Sequence, residues 1–155
     1  MLEFGAVWLA LRIHRELVAG AAASALTVES LIYDLCTHLE TTSADTPNAP
    51  AWLERAEELI RDRALDHVDL REVATDVSVD PAHLCRTFRR LRHRTIGDCV
   101  LGLRIQLACR ALVSTAEPLS ELALRLGFTD QSHLTRMFKR MTGVTPGTYR
   151  RRQKP

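Results

Sequence analysis

The chain has 155 residues, 46% of them hydrophobic and 26% charged, which is enough for one ordinary domain with a helical extension. Leu, Ala, Arg and Glu dominate and glycine and proline are few, so we expect an all-α protein. Charged residues such as Glu3, Arg12 and Arg15 interrupt the apolar first 25 residues, and we therefore expect neither a signal peptide nor a membrane span there.

The net charge of +2 conceals an asymmetry between the two halves of the chain. Residues 1–79 carry 6 Lys/Arg and 14 Asp/Glu, a net charge of −8, whereas residues 80–155 carry 15 and 5, a net charge of +10. A basic half is typical of nucleic-acid-binding proteins, although a charge run is more often only a solvated face. The charge pattern alone therefore leaves DNA binding open.

The sequence contains no pattern typical of a catalytic or metal site. Cys36, Cys85, Cys99 and Cys109 form no CxxC pair, so we expect reduced thiols and a cytoplasmic protein. The six histidines are scattered, and no HExxH, GxSxG or phosphate-binding glycine loop occurs. We predict a protein that is not an enzyme and that needs no cofactor and no metal.

Residues 1–45 show two amphipathic stretches that predict a helical hairpin. Large apolar side chains recur at helical spacing in both of them, including Phe4, Trp8, Leu11, Leu31, Ile32 and Leu35. A two-helix unit cannot bury them all, so they form either a homodimer interface or a face that folds against the rest of the chain. Both hypotheses stay open. A Pro- and Asn-containing linker, placed at residues 46–51, ends this segment.

Residues 52–155 divide into short helices. The spacing of Leu53, Ala56, Leu59 and Ile60 predicts a first helix over residues 52–65. Asp69, with Glu72 three residues later, gives a capping-box-like start to the next, and Asp80 caps a third with proline at its first position. A longer helix is predicted over about residues 96–114.

The second pair of short helices repeats the first. The matched residues are Leu70, Val73, Ala74 and Val77 with Leu119, Leu122, Ala123 and Leu126; Asp80, His83, Leu84, Arg86, Phe88 and Arg90 with Asp130, His133, Leu134, Arg136, Phe138 and Arg140; and Thr95 and Gly97 with Thr145 and Gly147. Each copy predicts a helix-turn-helix unit, at about residues 69–92 and 119–142. Gly127 suits a left-handed turn, whereas Ser78 in the first copy tolerates that conformation less well, so we expect the first turn to be looser or differently shaped.

The second helix of each unit has one apolar and one polar face. Leu84, Phe88 and Leu91 face the core in the first unit, as Leu134, Phe138 and Met141 do in the second. The opposite faces begin with small or amide residues and continue with cations. That order suits a helix that enters the DNA major groove by its N-terminal end.

The stretch from residue 121 to residue 150 resembles the AraC/XylS family of bacterial transcription activators. The matching positions are Ala123, Gly127, Phe128, Ser132, Phe138, Gly143, Thr145, Pro146, Tyr149 and Arg150. The resemblance covers roughly residues 52–152. It implies a domain over residues 52–155 in which a rigid linker helix joins two helix-turn-helix subdomains. The resemblance also implies that the chain binds double-stranded DNA, regulates transcription as an activator, and has RNA polymerase as a partner.

Residue by residue, the resemblance implies two sets of DNA contacts. The base-reading positions are Ala82, Cys85 and Arg86 in the first unit, and Gln131, Ser132, Thr135 and Arg136 in the second. From their charge, the phosphate-binding positions are Arg89, Arg90, Lys139, Arg140 and Arg150. Because Ala82 and Cys85 are poor hydrogen-bonding residues, we expect weaker base specificity in the first unit.

Two departures from related proteins bear on the organisation of the chain. Members that respond to small molecules usually carry an N-terminal β-rich sensor domain, and no strand-rich stretch is visible here. The chain is either a stand-alone regulator with a helical hairpin or a fragment of a longer one. Some DNA-repair methyltransferases carry an AraC-like module beside zinc-bound cysteines, and the lack of a cysteine cluster argues against that class.

Overall fold

The computed structural model describes residues 49–153, which form seven α-helices and, within that range, no strand. In chain order the helices are α1 (Ala51–Asp62), α2 (Leu70–Asp76), α3 (Pro81–Arg92), α4 (Ile96–Ser114), α5 (Leu119–Arg125), α6 (Gln131–Thr142) and α7 (Pro146–Gln153). The prediction of an all-α fold with two helix-turn-helix units and a long helix between them is confirmed. The predicted hairpin of residues 1–45 lies outside the described residues.

Side-chain caps set most of the helix starts. Asp69 accepts a hydrogen bond from the backbone N–H of Arg71, and Asp80 accepts from those of Ala82 and His83. Thr95 and Asp98 cap each other reciprocally at the start of α4. These bonds satisfy N–H groups that a helix start otherwise leaves unpaired. Helix α1 ends at Asp62, three residues before the predicted end, and Leu65 lies in the following loop.

Two apolar cores lie on the two halves of α4. The first core contains residues of α1, α2 and α3 with Ile96 and Cys99 from the N-terminal half of α4. The second contains residues of α5 and α6 with Ile105, Ala108 and Leu112 from the C-terminal half. Burial of these side chains in both cores is the main stabilising term of the fold. Each unit is therefore completed by a different part of the same helix.

The two helix-turn-helix turns adopt the same conformation, which corrects the prediction of a looser first turn. Ser78 has φ +56° and Gly127 has φ +74°. In each turn the next residue donates back to the carbonyl of a small residue: Val79 to Ala74 and Phe128 to Ala123, both at 2.9 Å. Ser78 is exposed, so its side chain meets no obstacle, and packing of the flanking helices stabilises the left-handed conformation.

Candidate nucleic-acid interface

Helix α3 presents a polar face because its opposite face is anchored in the first core. Leu84 and Phe88 are fully buried there, and Leu91 is half-buried. The predicted base-reading residues Ala82, Cys85 and Arg86 are all exposed, as are Arg89 and Arg90. One helix face thus carries all five of the predicted DNA contacts of the first unit.

Helix α6 is anchored in the same way by Leu134, Phe138 and Met141. Gln131, Ser132, Arg136, Lys139 and Arg140 are exposed, and Thr135 is half-buried. The Thr135 hydroxyl donates to the carbonyl of Gln131 at 2.8 Å, so its methyl group and its acceptor capacity are what it can offer to a base.

The charged side chains of α3 and α6 are positive, as binding to a phosphate backbone requires. Neither α3 nor α6 contains a carboxylate within its bounds; the two aspartates nearby, Asp80 and Asp130, are occupied as N-caps. The last turns carry Arg89, Arg90 and Arg92 in α3, and Lys139 and Arg140 in α6. Arg92 is half-buried and forms an ion pair with Glu57, whereas the other four cations are exposed and can meet phosphates on either side of a groove.

The environment of Arg150 differs from that of the other predicted phosphate-binding residues. It is half-buried, and its Nη2 donates to the carbonyl of Glu117 at 2.7 Å. Glu117 itself accepts two hydrogen bonds from Arg125, at 3.0 and 2.6 Å, and these bonds hold the pKa of the Glu117 carboxyl below its usual range. Arg150 therefore ties α7 to the loop before α5. Its predicted phosphate contact stays a prediction.

Arg104, on α4, was missed by sequence reasoning. Its guanidinium donates from Nε to the carbonyl of Ala64 at 2.6 Å, from Nη2 to that of Asp66 at 2.7 Å, and from Nη1 to that of Gly127. It thus joins the α1–α2 loop of the first unit to the turn of the second. The signal in the sequence is a cation within the apolar run Val100–Ala108, at a helix position that faces the core.

The remaining titratable groups form no cluster of metal-ligating side chains within residues 49–153. No group of three His, Cys, Asp or Glu residues lies close enough together to hold an ion in that range. Burial raises the pKa of the Cys99 and Cys109 thiols to about 11, whereas Cys85 is exposed. In the same range, no helix is both long and apolar enough to cross a membrane.

The comparison with known sequences identifies the family. A family model described as a helix-turn-helix domain matches residues 73–152, more than half of the chain. The regulatory protein SoxS of Escherichia coli K12 is 33% identical over 91 residues, which cover 56% of this chain and 85% of SoxS. The chain belongs to the AraC family. It is a DNA-binding transcription regulator of the helix-turn-helix type.

Solved structures of AraC-type domains share its fold. The C-terminal domain of AraT, a response regulator from Geobacillus stearothermophilus, aligns with a TM-score of 0.63 at 27% identity, over 68% of this chain and 88% of that domain. The DNA-binding domain of AdpA, solved in complex with a target DNA, aligns with a TM-score of 0.59 at 23% identity, over 64% and 90% of the two chains. The second likeness concerns the fold alone.

Proposed function

We propose that this AraC-family chain binds double-stranded DNA by inserting α3 and α6 into successive major grooves on one side of the duplex. The observation that carries the proposal is the matched pair of exposed helix faces, each with its cations towards the C-terminal end. Helix α4 has 19 residues and is therefore roughly 28 Å long at 1.5 Å per residue. This length is close to the ~34 Å of one DNA turn. The AdpA domain, similar in fold, is a protein that binds a target DNA.

Base recognition is assigned to the N-terminal half of each recognition helix. Arg86 and Arg136 are the residues that can make bidentate contacts to guanine, and Gln131 can do the same with adenine. Ser132 and Thr135 supply shorter polar contacts, whereas Ala82 and Cys85 supply only small, weakly polar surfaces. The first unit is thus expected to read fewer base pairs than the second.

Phosphate binding is assigned to Arg89, Arg90, Lys139 and Arg140, and in a lesser part to Arg150. The first four are exposed on α3 and α6, next to the base-reading faces. Arg150 has one guanidinium nitrogen bound to the carbonyl of Glu117, which leaves it less able to turn towards a phosphate. Such contacts fix the register of the protein on DNA but do not specify its sequence.

The proposal is tested by selecting random duplex DNA with the purified chain at near-physiological salt and sequencing the bound pool. We expect a motif of two short blocks about one helical turn apart, with more information in the block read by α6. A pool with a single block would overturn insertion of both helices. A pool with no motif would overturn autonomous sequence recognition.

Transcription activation through RNA polymerase and homodimerisation through residues 1–45 complete the proposal. SoxS is named a regulatory protein, and activation in the cytoplasm, without catalysis, is the role that this resemblance supports. Dimerisation is proposed from the apolar stripes of residues 1–45. Analytical ultracentrifugation tests it, because a chain that begins at Pro50 should sediment as a monomer and the full chain as a dimer. Equal masses per chain would overturn it.

The second candidate is a helical protein-interaction module without autonomous DNA binding, which the apolar stripes of residues 1–45 favour. It leaves the paired arginines at matching places of the repeat without a role. Salt separates the two functions, because DNA affinity falls steeply as salt rises through the release of counterions. An apolar protein interface has no such dependence.

A further inference from the structure

One side chain joins the two DNA-binding units. Arg104 lies on α4 between the two cores, and its guanidinium donates to three backbone carbonyls that are distant in sequence. Two of them, Ala64 and Asp66, belong to the loop between α1 and α2; the third, Gly127, belongs to the turn between α5 and α6. A planar guanidinium with five donors can hold several acceptors in fixed directions, which a lysine ammonium cannot.

The backbones of the two units approach each other closely at the same place. A Cβ atom at Gly127 would lie 2.5 Å from the carbonyl oxygen of Leu65 and 2.7 Å from Cζ of Arg104. Contacts below 3.0 Å are not made by real Cβ atoms, so the α5–α6 turn can rest against the α1–α2 loop only if residue 127 has no side chain. The Arg104 guanidinium also lies 6.0 Å from the ring centroid of Phe128, which places it over an aromatic face.

The contact made by Arg104 lies next to the helices whose relative orientation it can restrain. The α1–α2 loop leads directly into α2, and the α5–α6 turn leads directly into the recognition helix α6. A rotation of the second unit about α4 would have to break the bonds from Arg104. The bonds to the carbonyls of Ala64 and Gly127 are part-buried, so water replaces them poorly, whereas the bond to Asp66 is exposed. Partial burial lowers the pKa of Arg104, and the charge of Asp66 opposes that effect.

We propose that Arg104 is a positioning residue that fixes the orientation of α6 relative to α3 and thereby sets the half-site spacing that the protein accepts. This inference rests on the proposed insertion of both helices into DNA. A change of one base pair between half-sites moves one of them by 3.4 Å and turns it by about 35°. A rigid pair of units cannot follow that change, whereas a pair joined by α4 alone can twist to meet it.

The test measures affinity for duplexes in which the two selected half-sites are kept and their spacing is changed by one or two base pairs either way. The full chain should lose about tenfold in affinity per base pair of altered spacing, comparable to a mismatched base pair. Arg104→Met should lose less than about threefold. Its affinity at the preferred spacing should fall, because an unconstrained α6 must be ordered on binding.

Two further variants keep the test decisive. Arg110→Met removes an exposed arginine from the same helix, and it should keep the strict spacing preference of the parent chain. Arg104→Lys keeps the charge and the aliphatic stem, so it should fold even if Arg104→Met does not, and it should show the relaxed spacing. Circular dichroism confirms the fold of each variant before binding is measured.

The outcomes separate this inference from the function on which it rests. A strict preference in the parent chain that persists in folded Arg104→Met or Arg104→Lys overturns the role of Arg104 and leaves two-groove binding intact. A parent chain without any spacing preference overturns both. Failure of both Arg104 variants to fold would make Arg104 a residue of stability, not of spacing, and would also overturn the inference.

Discussion

The two helix-turn-helix units have the same backbone but achieve it with different residues. The second unit has Gly127 in its turn and Gly143 after its recognition helix, at φ +74° and +81°. The first has Ser78 and His93 at the corresponding places, at φ +56° and +54°. A left-handed conformation costs a residue with a side chain about 1–2 kcal/mol. The first unit therefore carries backbone strain that the second avoids.

This difference shows that the turn by itself does not require glycine. Ser78 adopts the turn with its side chain in solvent, so the requirement at Gly127 comes from what lies against it: the Leu65 carbonyl and the Arg104 guanidinium. The recognition faces differ as well, because Gln131, Ser132 and Thr135 offer hydrogen bonds where the first unit offers Ala82 and Cys85. Five predictions test these contrasts.

The largest effect is expected for Gly127→Ala, which should lower the free energy of unfolding by about 3 kcal/mol. The left-handed backbone and the clash with the Leu65 carbonyl both contribute. Urea unfolding measures the loss. Gly143→Ala is the matched control, since it carries the backbone cost at the exposed end of α6 and should lose only about 1 kcal/mol. Equal losses in the two variants would show that the contact with Leu65 adds nothing.

Next come Arg136→Ala and Arg86→Ala, each of which should weaken specific DNA binding by about 1–3 kcal/mol. Their effects on sequence preference should differ. Without Arg86 the first half-site should lose its preference, because Ala82 and Cys85 cannot replace it; without Arg136 a weaker preference should remain through Gln131. Repeated selection with each variant measures this. Arg55→Ala, on the exposed surface of α1, is the control, and unchanged binding in either test variant would contradict its assignment.

The rate of alkylation of Cys85 should show whether α3 of the first unit is free or bound to DNA. The exposed Cys85 should react with iodoacetamide faster than Cys99 and Cys109, whose thiols have pKa values raised to about 11 by burial. A cognate duplex at ten times its Kd should slow the reaction of Cys85 about tenfold, because only free protein reacts. Peptide mass spectrometry follows each thiol. Unslowed alkylation of Cys85 in the complex would mean that α3 lies off the DNA.

A smaller effect, and one that should be the same in both units, is expected for the phosphate contacts. Lys139→Ala and its counterpart Arg89→Ala should each reduce the slope of log affinity against log salt by about 1. The selected motif should not change, because phosphates carry no sequence information. Salt titrations of the two variants and the parent chain measure the slope. A changed motif would show that the residue reads a base.

The smallest effect is expected for Ser78→Gly, which should raise the free energy of unfolding by about 0.5 kcal/mol. Glycine removes the left-handed cost but adds chain entropy to the unfolded state, so only part of the cost is recovered. Urea unfolding is again the measurement. Ser78→Ala is the control, because alanine keeps the energetic cost of the left-handed backbone. A loss of stability in Ser78→Gly would show that the serine side chain stabilises this turn.

Sequence reasoning succeeded where local chemistry decides the structure. The caps at Asp69 and Asp80 and the proline at the start of α3 all lie where short-range rules place them. The periodicity of Leu134 and Phe138 likewise indicated which face of α6 is buried. Exposure of six of the seven predicted base-reading residues followed from that periodicity, whereas Thr135 is half-buried.

Sequence reasoning failed where residues distant in the chain determine the local structure. The turn at Ser78 is left-handed because packing outweighs a local preference, and the bond of Arg150 joins residues 33 positions apart. The acceptors of Arg104 are backbone carbonyls 23 to 40 residues away. Because every residue has a backbone carbonyl, the sequence does not indicate which of them accept these bonds. Such contacts are visible only once the chain is folded.

The division of α4 between two cores has a consequence for how the protein folds. Ile96 and Cys99 close one core, Ile105 and Leu112 close the other, and the buried Gly102 lies between them on the same helix. Loss of helical structure in either half would leave an open apolar surface in the unit that it serves. Because one continuous helix closes both cores, we expect the two units to unfold in one cooperative transition, in which the second unit supports the more strained first unit.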